Sequence, residues 1–382
     1  MAGSAAERQL TAPAPTRRPV RFAVAGPGDD AAIRQLLRAS PLRGAISLSL
    51  EREPNYFLGS GLAGATDTTI VAYEHQRLVC MGRCTTRPCW FNGEVRRVGY
   101  LGELRLDPAA RGSVDVVRQG YRFFQEHARP NPADFYFTSV AADNGRARRL
   151  LERGGLGLPS YEFLSDYVTL LVPVSRRPGP PPLPLVAAEA RDLAALAAFL
   201  NTAARARQLA AAWTADGLAG LARHGLPLGD FYLLKDQGRI VACAALWDQR
   251  GFRQTVIRDY SPALAWSRPA LNFAARLTGS PGLPPRGAVL AHAFVSPLVV
   301  LPDGGVTVAG LVRSLLPVAA RRGLDFLTLG FPAGNAARPE LERRFQCRTY
   351  ASRLYRVRWS DGDGAGAFPP QAGPFHPEVA LL

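Results

Sequence analysis

Two side chains in the segment VGYLGELRL, residues 98–106, are placed to do chemistry. In a strand, alternate residues point to opposite faces. Val98, Tyr100, Gly102, Leu104 and Leu106 then fall on one face, and Gly99, Leu101, Glu103 and Arg105 on the other. A carboxylate in the position of Glu103 can take a proton from an amine, directly or through water. It can equally form a structural pair with Arg105. The segment ends in Asp107-Pro108, and Arg111 and Gly112 precede an amphipathic stretch predicted to be helical from near Ser113. Backbone amides at such a helix start, aided by its dipole and by Arg111, suit a phosphate. In the second half of the chain, His292 and Ser296 share a strand face. A satisfied core histidine explains that pair as well as a catalytic one does.

Other motifs are excluded. Gly26-Pro27-Gly28-Asp29-Asp30 follows a strand and has Glu51 about 20 residues beyond, as a dinucleotide site asks, but its two aspartates would stand where a pyrophosphate sits. They read instead as the acidic start of a helix. Gly59-Ser60-Gly61-Leu62-Ala63-Gly64 leads into a strand and reads as a flexible loop. The single lysine, Lys235, follows a leucine, which rules out a Walker loop, and neither GxSxG nor HExxH occurs. Cys80, Cys84, Cys89, Cys243 and Cys347 lack the spacing of a zinc site. Cys80 and Cys84 read as small hydrophobes on one strand face, and no metal is expected.

The 382 residues, 47% of them hydrophobic and 20% charged, allow two domains with a core each. Residues 1–20 read as a flexible tail. Two blocks, 21–174 and 184–359, flank a proline-rich linker at 175–183, and 360–382 has the composition of a disordered tail. No stretch is apolar enough to span a membrane, and the expected location is the cytoplasm. Each block shows the same order of signals. A short strand and a helix come first, then a hairpin, a longer strand, a helix, a strand, a polar helical stretch and a closing strand. Pro317 should kink the second of the longer helices. The predicted fold class is a mixed α/β sheet protein formed by tandem duplication.

Formal net charge is +15, and +11 of it lies in 184–359, notably at Arg338, Arg343, Arg344, Arg348, Arg353, Arg356 and Arg358. Such a surface fits either a solvated basic face, which is favoured, or nucleic acid.

The stretch LGELRLDPAARGSVDVVRQGYRFF resembles the cofactor loop of the GCN5-related N-acetyltransferases, and VAADNGRARRLLERGGL resembles that family's second motif through Asn144 and Ala147. The two family glycines fall on Val114 and Val116, and the family tyrosine falls on Leu151. The resemblance implies a tandem acyl-CoA N-acyltransferase fold and acyl transfer from acetyl-CoA, a co-substrate, to a small-molecule or peptide amine. On that basis Glu103 is the expected base and Tyr161 the expected acid for the leaving thiolate. Backbone at Leu104, Arg105 and Leu106 would hold the pantetheine arm and carbonyl. Arg111, Gly112, Ser113 and Val114 would hold phosphate, with Asn144 at the second motif. Two rival expectations are transfer of an aminoacyl group from charged tRNA and a non-catalytic scaffold with decayed loops. The acceptor and the oligomeric state are not encoded in these motifs.

Overall fold

A computed structural model describes residues 19–110, 114–152, 154–155, 157–301, 305–359 and 373–382. The expected N-terminal tail lies outside these residues but for its last two, and Val20 already opens the first strand. In the first half, β1 (Val20–Val24) leads to α1 (Asp30–Ala39), β2 (Ile46–Glu51), β3 (Thr66–Glu74), β4 (Arg77–Phe91) and β5 (Glu94–Leu106). Then come α2 (Val114–Ala128), β6 (Phe135–Ala141), α3 (Gly145–Glu152) and β7 (Ser160–Pro173). The second half opens with β8 (Val186–Ala187), α4 (Leu193–Ala204), β9 (Ala210–Ala211), α5 (Ala215–Gly220), β10 (Phe231–Asp236) and β11 (Arg239–Trp247). It continues through β12 (Gln254–Tyr260), α6 (Pro262–Thr278), β13 (His292–Val300), α7 (Val308–Arg321), β14 (Phe326–Pro332), α8 (Arg338–Phe345) and β15 (Arg348–Arg358). Pro317 lies within α7 without ending it.

All of these strands except β2 and β12 form one thirteen-stranded sheet of order β1-β3-β4-β5-β6-β15-β7-β14-β13-β11-β10-β8, with β9 paired to β4. Read from either end, this order gives the same sequence of pairings, antiparallel except at β5·β6 and β13·β14, which are parallel. The closing strands are exchanged. β15, from the second half, pairs with β6, and β7, from the first, pairs with β14. The two blocks expected at 21–174 and 184–359 therefore meet inside a single sheet, joined through the long β15·β7 pairing.

Both parallel pairings are short. Backbone register between β5 and β6 runs only from Val98↔Phe135 to Tyr100↔Phe137, and β13 and β14 match it with His292↔Phe326 to Phe294↔Thr328. Beyond these points each pair diverges. Each longer strand also carries a bulge just past its divergence. Glu103 and Leu104 together oppose Gly82 of β4, and Ser296 and Pro297 oppose Ala245 of β11. The bulge corrects the strict alternation expected for β5: Leu104 and Leu106 join Leu101 on the α2 side, and Glu103 points to the opposite face.

On one face of the first half, α1 packs Ile33, Leu36 and Leu37 against Val71, Tyr73 and Met81. On the other, α2 sets Val116 and Phe124 over Cys80 and Cys84. In the second half, α7 packs Leu311, Val312 and Leu315 onto β13 and β14. A ribbon of β2 and β12 ties the two halves together, and the buried Glu51 carboxylate pairs there with Arg258. Leu183 of the proline-rich stretch packs against α7, and its amide donates to Ser314 Oγ at 3.1 Å.

The tail expected at 360–382 needs correction over residues 373–382. Phe375, Val379, Ala380 and Leu381 are buried in the central core, although the glycine- and proline-rich composition around them reads as a solvated extension. His376 Nε2 lies 3.2 Å from the Gly330 carbonyl of β14, and Glu378 accepts from Ser296 Oγ of β13 at 2.5 Å. This segment thus bridges the diverging β13 and β14.

Candidate active site

The divergence of β5 from β6 leaves the backbone of β5 beyond Tyr100 without a ladder partner on that side. Thr138 Oγ1 donates to the Leu101 carbonyl at 2.6 Å, and no further β6 residue is in register. Backbone polar groups freed in this way need other partners. A cavity of about 530 Å³ occupies the gap and reaches both faces of the sheet. On the α2 side it is lined by Val117, Gly120, Tyr121, Asn144, Leu151 and Tyr161. On the α1 side Arg52, Arg83, Arg87, Glu103, Arg253 and His292 line it, and Leu48, Leu50 and Thr255 of the β2·β12 ribbon contribute to its wall.

Glu103 stands at the narrow point. It sits in the left-handed region at φ 53, a backbone cost for any residue but glycine, and such costs concentrate where geometry serves function. The expected Arg105 is not its partner: Arg105 Nη1 turns to the Leu104 carbonyl at 3.0 Å. Arg52 takes that place, donating Nε at 2.9 Å and Nη2 to Oε1, while Tyr56 OH donates to Oε2 at 2.9 Å. Burial opposes the charge on Glu103. Arg52, Arg83 and Arg253 more than offset it, and the carboxyl is held well below its ordinary range. Glu103 is therefore ionised throughout the neutral range. Gly59 gives the assembly room, since a Cβ there would lie 2.8 Å from Phe252 Cδ2 and 3.0 Å from Arg52 Nη1.

Across the sheet, Tyr161 from β7 and Tyr121 from α2 bring their hydroxyls to 2.5 Å. Burial pushes Tyr121 up to about 12 and Tyr161 well above its usual value, so both phenols stay protonated at neutral pH. Asn144 caps the start of α3, its Oδ1 accepting from the Ala147 amide at 3.1 Å. Asn335 stands in the turn before α8, its Oδ1 accepting from the Ala337 amide at 2.9 Å. Val114 is the first residue of α2, and Val116 is buried against Cys80, Leu104 and Leu106. Leu104 and Arg105 line the cavity. Leu106 packs beneath α2. Arg111, Gly112 and Ser113 lie outside the described residues.

His292 lines the same cavity, with Nδ1 2.9 Å from Thr328 Oγ1 and Nε2 3.5 Å from Thr255 Oγ1. Burial and the nearby Arg253 lower it to about 4, leaving a neutral imidazole at pH 7. Sequence reasoning missed Arg52, Tyr56, Arg83, Arg87 and Arg253. A signal was present for two of them, because Arg83 and Arg87 stand four apart on the strand face they share with the buried Met81, Cys89 and Phe91.

The second half offers no comparable opening among the described residues. Its divergence is packed by Leu311, Leu315, Leu329 and Leu341 on one side and bridged by 376–378 on the other. Its bulge contains Pro297, which has no amide hydrogen to offer. Of the arginines expected to form a basic face, Arg338, Arg344, Arg353, Arg356 and Arg358 are ion-paired with Glu342, Glu340, Glu152 and Asp166, and Glu162. No helix among the described residues is long and apolar enough to cross a membrane.

No family model and no curated protein matches this chain. Solved structures do. A GCN5-related N-acetyltransferase from Sphaerobacter thermophilus is 14% identical, with 91% of this chain and 98% of that one covered and a TM-score of 0.54. A GCN5-related glucosamine N-acetyltransferase region of a fungal multi-domain GH3 β-N-acetylglucosaminidase is also 14% identical, at a TM-score of 0.56. That match covers 91% of this chain and 39% of the fungal one. Likeness at this level of identity establishes the fold.

Proposed function

We propose that this chain, which has the fold of the GCN5-related N-acetyltransferases, moves an acyl group from acyl-CoA to an amine at a single site in its first half. The observation that carries this reading is the passage through the sheet between β5 and β6, with protonated tyrosines on one side and an ionised carboxylate among arginines on the other. A thioester entering from the α2 side would lay its pantetheine arm along the unpaired edge at Leu104 and Arg105. Its phosphates would stay near the start of α2, close to Arg111, Gly112, Ser113 and Val114. The acceptor would approach from the α1 side.

Direct transfer then has three requirements. The amine must lose a proton, and Glu103 is the nearest ionised acceptor, working through water because its own proton affinity is low. The thioester carbonyl must be polarised by amides at the bulge as the tetrahedral oxyanion forms. The carbon–sulfur bond breaks as nitrogen gains the acyl group, and Tyr161, hydrogen-bonded to Tyr121, gives the departing thiolate its proton. The glucosamine acceptor named for the fungal relative makes amino sugars sensible first acceptors to assay.

The test is acetyl-CoA titration of the full chain by calorimetry, followed by a free-thiol assay with an amine panel. One equivalent bound per chain and amine-dependent thiol release are expected. No heat and no melting shift with acetyl-, propionyl- or longer acyl-CoA at millimolar concentration would overturn the reading.

A further inference from the structure

The α1 side of the cavity is unusually rich in buried cations. Arg52, Arg83 and Arg87 are each under 10% exposed, and all three line the space together with Arg253. Two of them are matched by carboxylates: Arg52 by Glu103, and Arg83 by Asp67. Arg253 donates to the backbone oxygens of Ala380 and Leu382. Arg87 has no carboxylate within 4 Å among the described residues, and the Nη1 atoms of both Arg83 and Arg87 are buried with no hydrogen-bond partner. Glu378, which shares a small adjoining space with Arg87, is engaged with Ser296 Oγ. Its charge is opposed by burial, and the fields of both Arg207 and Arg87 act on it, although no hydrogen bond joins it to either. Among the side chains that line the chamber, Arg52, Arg83, Arg87, Arg105 and Arg253 outnumber Glu103, even when the Leu382 carboxyl that Arg253 holds is set against them.

A guanidinium is always protonated, and a buried one without a partner costs several kcal/mol unless a ligand completes it. Its planar fork matches a carboxylate or phosphate, and charge-assisted bonds of this kind are the strong ones. On this ground we propose that the chamber binds an oxyanion, a carboxylate or phosphate carried by the amine acceptor, with Arg87 and the free Nη1 of Arg83 as its donors. The acceptor is then an amino acid or an amino-sugar phosphate in chemical class, not a simple amine or polyamine. The inference rests on the acyltransferase reading for the word acceptor; the anion site itself does not.

Two measurements on the full chain separate them. The first needs no coenzyme A. Inorganic phosphate and succinate should raise the melting temperature above that in chloride of equal ionic strength, and Arg87→Met should abolish the rise. The ligand-free R87M protein should melt no lower than the wild type, because an unmatched buried charge has been replaced by an apolar chain of similar length. A merely structural arginine would instead lower it. The second measures thiol release from acetyl-CoA with acceptors paired by charge: glucosamine 6-phosphate against glucosamine, and glycine against glycinamide. At least a tenfold preference in kcat/KM for one anionic member is expected, narrowing tenfold or more in R87M through KM.

Anion stabilisation that R87M leaves intact, or charge-blind turnover, would overturn the proposal. So would a preference that follows the acyl group, with succinyl-CoA favoured over acetyl-CoA whatever the amine. If acetyl-CoA fails to bind while phosphate still stabilises in an Arg87-dependent way, the acyltransferase reading falls and the anion site stands.

Discussion

Replacing Glu103 by Gln keeps its shape and removes its charge. The partners left behind are Arg52, with 11% of its side chain exposed, and Arg83, with 8%. Removing one member of a buried ion pair costs about 3–5 kcal/mol, because the other charge is stranded. Glu103 is 19% exposed at its side chain, which places the expected loss near the lower end, about 3 kcal/mol at pH 7. The pH dependence has a definite sign. Glu103 has its pKa depressed on folding, so its stabilisation is complete above its ordinary value of 4.5 and declines as pH falls below it toward the folded pKa. The gap between wild type and E103Q should therefore be constant from pH 7 to about 5 and close as the medium is made more acidic. Urea denaturation followed by tryptophan fluorescence at pH 7, 5, 4 and 3 measures this. An Arg52→Met variant and the double variant complete a cycle, in which the double variant should lose less than the two single losses added. A loss under about 1 kcal/mol at pH 7, or a gap that fails to close in acid, would refute the view that Arg52 and Arg83 depend on this carboxylate. Turnover must accordingly be scored per folded molecule. On that scale a fall of roughly 10²–10⁴ identifies a base, and unchanged turnover identifies a structural anion.

Tyr161→Phe should reduce turnover with acetyl-CoA while sparing its binding, and an activated thioester with a better leaving thiol should recover part of the rate; equal loss of binding would mean that the phenol only shapes the passage. Phe375→Ala should destabilise the chain by about 3–5 kcal/mol in urea melts, since the ring is buried in the central core, whereas a solvated tail would give no effect. His292 is buried neutral with its pKa lowered from 6.5 to about 4, so wild-type stability should fall as pH drops from 6.5 toward 4 and His292→Gln should flatten that slope. A slope unchanged in the variant would assign the acid sensitivity to other groups.

The order of elements was legible because each strand and helix is specified by local periodicity. β6 falls on residues 135–141, as the run FYFTSVA suggests, and α2 begins next to the expected Ser113. The pairing of β2 with β12 was not legible, since partners about 200 residues apart leave no local trace. Nor was the bulge at Glu103, because strict alternation has no means of showing an inserted residue. Glu103 was expected to face a cleft beside Arg105; it does line the cavity, but its partner is Arg52. The guanidiniums that set its charge come from Arg52, Arg83 and Arg253, brought together only by the tertiary fold. Tyr161 was placed near the cavity by a family expectation, and its bond to Tyr121 of α2 is a contact across 40 residues.

The exchange of β7 and β15 has a consequence for how the polypeptide is made. When a ribosome has delivered the first 174 residues, β6 has nothing to pair with on its outer edge, because its neighbour is residues 352–357. An open edge of this kind is a template for wrong pairing. It must persist while some 180 further residues emerge, which at about 5–20 residues per second is on the order of ten seconds or more. Arg353 and Arg356 then dock onto Val140 and Phe137, and only with that step is the wall of the cleft complete. The half that holds the cleft is thus synthesised first and finished last, so a premature stop anywhere before β15 leaves the cleft without this wall.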